Sequence, residues 1–549
     1  CAPRFPLAIL LTRCCRAHAV VPVSRLSPER TSLGLIKGLR ATDGQYSMFM
    51  GIPYATVDET NPFGVSLSTP YGPFNKTFEA YDDSAICPQI EEFNQTITGS
   101  LDCLHLNVYV PNSATRDNPL PVLVWIYGGG FSIGFAGRYV YGPKYLVRHD
   151  IILVTVNYRL GPYGFMCHGT VDVPGNQGLK DQLLALRWIK ENIASFGGNA
   201  NKITLFGESA GSISIDFHLH SEQEKLFNNL ILQSGTSNSP GLINEGSEEA
   251  TLKLASHLGF ATDNVDEAVS FLSKTNSHLV IAAASQINMR FLPCVEKGDN
   301  TDKFLSDYPI NMIIPKVRNT AILIGHNDDE WLATYVNGNA EYFASLNLFY
   351  NKLNAQLNLN ADELNDLEAL VRRFYIGDDE ITEDVREAFT DFDSDWMFNH
   401  PTQRSIDKFI DSGADSVFYY VFGYNGGRNF VKKRLNITIG SAAHADEIGY
   451  LFDISYMNDV PTNEDQIIID RITSMWANFV KYRNPTPSVS DLLPVKWNPV
   501  SKDALNYLKI DSDLSLGTRP FKERLAFWDL FFYYFTENIK GYNPHNTLH

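Results

Sequence analysis

Short apolar runs alternate with helix-like stretches along the first three hundred residues. Residues 122–127 are apolar throughout, residues 151–156 are apolar except Thr155, and shorter runs follow at 203–206, 230–232 and 321–325. Between them, leucines and isoleucines recur at helical spacing from Leu179 to Ile193. Continuous apolar strands separated by amphipathic helices indicate an α/β fold with a large, mainly parallel sheet covered by helices on both faces.

The pattern changes to helix between about 340 and 410. Leu364, Leu367 and Val371 mark one helix, and Asn360 and Glu363 have the spacing of a capping box at its start. Strand character returns at 417–422. Since no repeat or linker is evident, we predict one domain over 20–549 that contains a helical insertion.

The two ends of the chain give weaker signals. The apolar stretch 526–535 contains Asp529 and is too short to span a bilayer, so we predict a buried terminal helix. The chain begins with Cys1, and residues 6–11 are apolar, followed by the small-x-small pattern at 17–19. We interpret residues 1–19 as a signal-peptide remnant or a non-native leader.

Composition narrows the choice of partners. The 549 residues carry 45 Lys and Arg against 63 Asp and Glu, a net charge of −18. This charge disfavours nucleic acids and anionic membrane surfaces, and no stretch is apolar enough for stable membrane insertion. The sequence contains no metal-ligand cluster and no cofactor motif, and it leaves the oligomeric state open.

Seven cysteines in a chain of this length cannot form a disulfide scaffold. Cys167 and Cys294 are interpreted as apolar core cysteines, and their bonding state is left open. Cys87 and Cys103 either form a bridge that closes a short loop, worth roughly 3 kcal/mol, or remain two buried thiols.

Three acceptor sequences for N-glycosylation, at Asn75, Asn94 and Asn436, favour a secreted protein.

Residues 207–211 read Gly-Glu-Ser-Ala-Gly, between a predicted strand and a predicted helix. This is the context of a nucleophile elbow, in which a sharp turn exposes the oxygen of Ser209. Residues 130–134 also fit Gly-x-Ser-x-Gly, but Ser132 lies in a glycine-rich loop with no helix after it. Such a loop is better suited to offering backbone N–H groups.

A serine nucleophile needs an imidazole base and a carboxylate that orients it, in the chain order serine, acid, histidine. Of the thirteen histidines, His444 follows a run of small residues typical of a tight loop. His326 precedes the expected acid, and His400 is interpreted as a surface residue. The acid should follow the strand at 321–325, where the pattern does not distinguish Asp328, Asp329 and Glu330.

At this point the sequence resembles the type-B carboxylesterase/cholinesterase family. Residues 196–211 match the serine signature of that family at every defined position, and residues 125–131 resemble its oxyanion loop. Further blocks occur in family order, and the likeness runs from about Gly34 to Trp528. These blocks are 51–55, 102–108, 175–182 and 233–235.

The resemblance implies an α/β-hydrolase fold, with Ser209 as nucleophile, Glu330 as acid and His444 as general base. It implies no cofactor, a small-molecule ester as substrate, and a disulfide between Cys87 and Cys103. It also implies an oxyanion hole formed by three backbone N–H groups, those of Gly129, Gly130 and Ala210. Glu208 is expected beside the site, where it would either influence the charge of the histidine or simply fill the elbow.

Departures from the family narrow the expected substrate. The loop from Cys87 to Cys103 has Phe93 but no Trp or Tyr that would bind a quaternary ammonium group. Trp331 follows the expected acid and is expected to alter the pocket wall. Four apolar residues align loosely with the acyl-pocket segment and would form either that pocket or core; they are Ile287, Met289, Phe291 and Leu292.

The chain is most similar to insect secreted carboxylesterases such as moth antennal esterases, which degrade odorant and pheromone acetates. We therefore expect a secreted ester hydrolase acting on small hydrophobic esters. The alternatives are a juvenile hormone esterase-like hydrolase and an inactive cholinesterase-like adhesion protein.

Overall fold

The computed structural model describes residues 29–31, 34–68, 76–298, 302–457 and 459–544. Its strands are β1 Glu29–Thr31, β2 Gly34–Lys37, β3 Leu39–Arg40, β4 Tyr46–Pro53, β5 Ala55–Thr56, β6 Leu67–Ser68, β7 Phe78–Glu79, β8 Gln89–Ile90, β9 Ile97–Thr98, β10 His105–Pro111, β11 Leu120–Ile126, β12 Ile152–Val156, β13 Gly198–Glu208, β14 Asn229–Gln233, β15 Ala321–Asn327, β16 Ser416–Phe422, β17 Asn506–Ile510 and β18 Leu514–Thr518. Its helices are α1 Lys144–Val147, α2 Gly161–Phe165, α3 Gln177–Asn192, α4 Ala210–His220, α5 Glu248–His257, α6 Val265–Lys274, α7 Ser277–Gln286, α8 Leu332–Tyr335, α9 Ala340–Ser345, α10 Leu348–Gln356, α11 Ala361–Ile376, α12 Arg386–Ser394, α13 His400–Asp411, α14 Phe430–Leu435, α15 Ile448–Leu451, α16 Asn463–Tyr482 and α17 Lys522–Phe535.

Eleven strands of the described residues form one mixed sheet in the order β18-β17-β16-β15-β14-β13-β11-β12-β10-β4-β3. In the order of the sheet, the seven neighbouring strands from β17 to β12, which include β11, pair in parallel. The antiparallel pairs lie at the two sides of the sheet. The central strands are buried along their length, as continuous apolar runs require. The prediction of a large, mainly parallel sheet is confirmed.

Four neighbouring parallel strands end at one edge of this sheet. In the sheet β11, β13, β14 and β15 are adjacent, and they end at Ile126, Glu208, Gln233 and Asn327. Parallel strands place their carboxyl ends side by side, where loops can assemble a site. Segments far apart in sequence therefore meet at this edge.

The predicted helical region forms a second hydrophobic cluster. Its core includes Phe349, Phe389 and Trp396, together with Trp528 from the terminal helix α17. The capping box at the start of α11 is present as predicted. The terminal helix differs from the prediction: α17 buries Trp528, but part of its surface stays exposed. The exposed apolar side chains are Leu530, Tyr533 and Tyr534.

The prediction that Cys167 and Cys294 lie in the core is confirmed, and the structure joins them in a disulfide that the sequence left open. Both side chains are buried, as core cysteines would be, but 127 residues separate them in sequence. Cys1, Cys14 and Cys15 lie outside the described residues. No helix within the described ranges is both long and apolar enough to cross a membrane.

A buried ion pair joins the segment after β12 to α3. Arg159 and Asp181 are fully buried and make two hydrogen bonds, of 2.7 and 2.9 Å. The guanidinium also donates to the carbonyl groups of Pro62 and Gly64, and the carboxylate accepts from Ser66. Every charge in this cluster is therefore compensated, as burial requires.

Candidate active site

Ser209 lies between the end of β13 and the start of α4. Its backbone has φ 54° and ψ −126°, a strained conformation for a residue with a side chain. The neighbouring Gly211 permits this turn, since a Cβ atom there would lie 2.0 Å from the carbonyl oxygen of Ile126. The predicted turn from strand to helix thus forms at the edge of the sheet.

The glycine-rich loop after β11 lies directly against this turn. A Cβ atom on Gly128 would lie 2.8 Å from the Cβ atom of Ser209, so only glycine allows the two segments to approach this closely. Three backbone N–H groups around Ser209 donate to no acceptor among the described residues: those of Gly129, Gly130 and Ala210. These free donors line the same cavity as the serine.

Ser132, the central residue of the competing motif, has a different setting. Its hydroxyl donates to the carbonyl of Gly130 at 3.2 Å, within its own loop. No helix begins at this serine.

Glu330 and His444 meet through a short hydrogen bond. Nδ1 of His444 lies 2.6 Å from one carboxylate oxygen of Glu330, which is fully buried. The other oxygen accepts from Ser234 Oγ at 2.5 Å and from the N–H of Asn327 at 2.7 Å. Although burial opposes ionisation, His444 and these donors outweigh it and hold the pKa of Glu330 below its usual value.

The two aspartates beside Glu330 do not contact the imidazole. They stabilise residues 439–444, which we call the histidine loop. Asp329 accepts from the N–H of Ser441 at 2.7 Å, and Asp328 accepts from the Ser441 hydroxyl at 3.2 Å. Asp328 also pairs with Lys509. Of the three adjacent acids that the sequence pattern left open, Glu330 is the one that contacts His444.

Asp446 and Lys432 stabilise the histidine loop through hydrogen bonds to its backbone. The carboxylate of Asp446 accepts from the N–H groups of Lys432 and Ala443. The ammonium of Lys432 donates to the three carbonyl groups of residues 439–441. Small residues before His444 indicated a tight loop, but nothing in the sequence pointed to these two supports.

Glu208 contacts the other side of the imidazole. Its Oε1 atom lies 3.1 Å from Nε2 of His444, but it does not meet the angular requirement for a hydrogen bond. The hydroxyl of Ser209 makes no hydrogen bond within the described residues, so His444 and Ser209 line one cavity without being bonded to each other. The in-plane direction of Nε2 therefore has no acceptor in the described structure.

Three buried carboxylates, those of Glu208, Glu330 and Glu447, dominate the electrostatics around His444. Burial alone would lower the pKa of His444, but Glu208 and Glu330 outweigh it and raise that pKa. Burial in turn raises the pKa of Glu208, despite the opposing effect of His444. The site thus favours a positively charged imidazole.

A buried polar network behind the site was not predicted. The carboxylate of Glu447 accepts from Gln233 at 2.5 Å and from Asn327 at 2.6 Å. Gln233 in turn accepts from the indole of Trp476 at 2.8 Å. Burial, with help from Glu330, raises the pKa of Glu447 to about 7. Gln233 belongs to one of the sequence blocks noted above, which was the only signal for this network.

The cavity over Ser209 has a volume of about 310 Å³, at the small end of ligand-binding pockets. Besides Glu208 and the imidazole of His444, its charged residues are Glu92, Arg290 and Arg434. The apolar side chains that line it are Ala210, Phe131, Ile133, Ile213, Leu242, Trp331, Met397, Phe398, Phe430, Val431 and Ala445.

Residues 28–528 match the model of the carboxylesterase family. The chain belongs to the carboxylesterase family. It is a carboxylic ester hydrolase with the α/β-hydrolase fold, so the resemblance seen in the sequence is confirmed.

Relatives of this carboxylesterase extend over most of both chains. A cholinesterase from Mus musculus is 31% identical over 91% of this chain and 86% of its own. Esterase FE4 from Myzus persicae is 32% identical over 86% of each chain. The human bile salt-activated lipase is 29% identical over 96% of this chain and 72% of its own.

In this carboxylesterase the segment expected to line an acyl pocket contributes differently. Phe291 and Leu292 are buried, and Ile287 and Met289 pack against the main core. None of these four is among the described residues that line the cavity. Of the two alternatives that the sequence left open for this segment, the structure therefore favours core. Arg290 lines it instead, with Nη2 3.9 Å from the position that a Cβ atom on Gly130 would take.

The loop between Cys87 and Cys103 also borders the cavity. The structure contains this disulfide, and the loop contributes Glu92, whose carboxylate pairs with Arg434. Phe93 packs edge-on against Tyr139 and lies outside the cavity lining.

The two histidines set aside in the sequence are both structural. His326 is buried in β15 and bonds the Tyr419 hydroxyl at 2.7 Å. The interpretation of His400 as a surface residue is wrong, because it is buried against α17. There it contacts Asp529 at 3.1 Å and stacks on Phe532.

Two of the three glycosylation acceptors have exposed asparagines. Asn94 lies in a turn, and Asn436 follows α14 in a left-handed conformation. Asn75 lies outside the described residues.

Proposed function

We propose that this carboxylesterase hydrolyses esters through an acyl-enzyme with Ser209 as the nucleophile. His444 takes the proton of the Ser209 hydroxyl as that oxygen attacks the ester carbonyl, and it then protonates the leaving alcohol. A water molecule activated by His444 releases the acid in the second half of the reaction. Glu330 orients the imidazole through Nδ1 and stabilises its charged form.

In this mechanism the N–H groups of Gly129, Gly130 and Ala210 stabilise the oxyanion of each tetrahedral intermediate. Losing one such donor typically costs about 2.7–4 kcal/mol of transition-state stabilisation. The free state of all three donors, next to Ser209, supports this role. The approach of Nε2 to Ser209 would tighten when substrate binds, as is common for catalytic hydrogen bonds.

The observation that carries the proposal is the contact between Glu330 and His444 beside a strained serine that faces unused N–H donors. Its test is labelling with an organophosphate, followed by mass spectrometry of the peptides. We expect the adduct on the peptide containing Ser209, no adduct in Ser209→Ala, and a loss of activity of at least about 10⁴-fold in that variant.

Ser132→Ala is the matched control, since Ser132 is the central serine of the second motif. It should keep both the label and the activity. An adduct on Ser132 would contradict the choice of Ser209 as the nucleophile. An unlabelled wild-type protein that releases no acid from any ester would support an inactive binding protein instead.

For the substrate we propose small hydrophobic esters, such as odorant or pheromone acetates. The small cavity, its apolar walls and the absence of Trp or Tyr in the loop from Cys87 to Cys103 support this choice. We expect aliphatic acetates and aryl esters to be hydrolysed with higher kcat/KM than choline esters. A panel that includes a juvenile hormone-like methyl ester tests the alternative, and a preference for that ester or for choline esters contradicts the proposal.

We also propose that 20–549 is one secreted, glycosylated domain. Two disulfides and two exposed acceptor asparagines are consistent with an oxidising compartment. Expression in insect cells, with Asn94→Gln and Asn436→Gln as variants, should give protein in the medium and a glycan mass lost at each substituted site. Retention in the cytosol with free thiols would contradict it.

A further inference from the structure

A second cavity, of about 510 Å³, lies next to the catalytic one. We call it the Arg404 cavity. Ser239 and Leu242 line both cavities, so the two are separated by a shared wall. The Arg404 cavity is formed by the segment after β14, by residues near Tyr308, by the end of α10 and by the chain beyond α17.

Arg404 is a cation without a counter-charge. It lies on α13, is half-buried, and makes no ion pair or hydrogen bond with any other described residue. Burial lowers its pKa to about 10, and no carboxylate acts to raise it. A cation that loses part of its hydration is normally compensated by a polar partner, and this guanidinium has none among the described residues.

Packing explains only part of this arrangement. The guanidinium carbon lies 4.2 Å from the ring centre of Phe532, a close cation–π contact. The ring accepts no conventional hydrogen bond, so the five N–H donors of the guanidinium have no acceptor among the described residues. If Arg404 served only to pack against Phe532, its N–H donors would not need to lie at the wall of a cavity.

The rest of the lining suits an amphiphilic anion. The Ser239 hydroxyl is buried, at 5% exposure, and has no hydrogen-bond partner among the described residues. Apolar surface comes from Leu242, Ile310 and Ile539. The lining also contains one carboxylate, Glu245, which accepts from the Tyr308 hydroxyl at 3.3 Å.

We propose that the Arg404 cavity binds an aliphatic carboxylate, with the carboxylate on Arg404 and the chain on the apolar wall. A planar guanidinium matches a carboxylate through two parallel hydrogen bonds. The choice of a carboxylate as ligand rests on the proposed function, since ester hydrolysis in the adjacent cavity releases one.

The test is calorimetric titration of hexanoate into protein whose Ser209 carries an organophosphate adduct, so that the catalytic cavity is blocked. We expect one hexanoate per chain, with affinity at least about tenfold lower in Arg404→Met, which keeps the side-chain length but removes the donors. Arg187→Met is the control, because Arg187 pairs with Glu224 at the surface and its loss changes the net charge equally. Arg404→Lys keeps a charge without the planar fork and should bind with intermediate affinity.

Circular dichroism shows whether each variant is folded. If Arg404→Met does not fold, the affinity of the wild type for hexanoate is compared with that of Arg404→Lys. Equal affinity in the wild type and the Arg404 variants would overturn the proposal. So would binding only to unblocked protein, equally tight binding of inorganic phosphate, or equally tight binding of hexanol. Failure to form the adduct tests the proposed function separately, and the titration then uses Ser209→Ala.

Discussion

Replacing Glu208 by glutamine tests how the buried carboxylates control His444. The substitution keeps the size of the side chain and removes the negative charge that lies 3.1 Å from Nε2. At an effective dielectric constant near 20, two charges at this distance interact by about 5 kcal/mol, or roughly four pKa units at most. Because burial raises the pKa of Glu208 and so opposes its ionisation, the effect of its charge on His444 is smaller than this limit. We therefore expect the pKa of His444 to fall by about one to four units.

The sign of the effect on activity follows from the need for a neutral base. In the proposed mechanism activity is lost as the pH falls through the pKa of His444, so the acid limb of kcat/KM should move to lower pH in Glu208→Gln. The assay is hydrolysis of p-nitrophenyl acetate across the pH range. Glu92→Gln is the control, since Glu92 lines the same cavity but pairs with Arg434, and its limb should move much less.

An acid limb that stays in place, or moves to higher pH, would refute the argument that Glu208 raises the pKa of His444. A parallel shift in both variants would show that net charge matters and that the 3.1 Å contact does not.

Three further substitutions test the surroundings of the site. Ser234→Ala removes a donor to Glu330 and should lower kcat/KM by roughly tenfold, with little change in stability; an unchanged rate would contradict this. Asp181→Asn leaves a buried cation without its counter-charge and should lower the free energy of unfolding in urea by about 3–5 kcal/mol, whereas a loss below 1 kcal/mol would contradict it. Replacing Cys167 and Cys294 by serine opens the longer loop and should cost roughly 5 kcal/mol, against about 3 kcal/mol for the other disulfide; the reverse order would contradict the chain-entropy argument.

The central strands were predictable because they are buried on both faces. Their apolar runs are continuous, and β11, β12 and β16 lie within one or two residues of the predicted bounds. The side strands β3, β4, β10 and β18 were missed, since they lack such runs. Their positions depend on antiparallel pairing with residues far away in the chain.

The site was predictable only where chain order or the family motif constrained it. Hydrophobic pattern could not choose among three adjacent acids, because the choice depends on which carboxylate faces His444 after the loops fold. The burial of His400 depends on α17, more than a hundred residues later. The disulfide between Cys167 and Cys294 was missed for the same reason, as sequence spacing does not fix which cysteines pair.

Part of the wall of the cavity over Ser209 comes from a different part of the chain than the residues that we propose react there. Trp331, Met397 and Phe398 border the helical region, which has its own hydrophobic cluster, whereas Ser209 stands on the sheet. Substitution of these wall side chains should therefore change which esters are bound and leave the residues around Ser209 in place. A family built this way can acquire new substrates through a few changes in one layer.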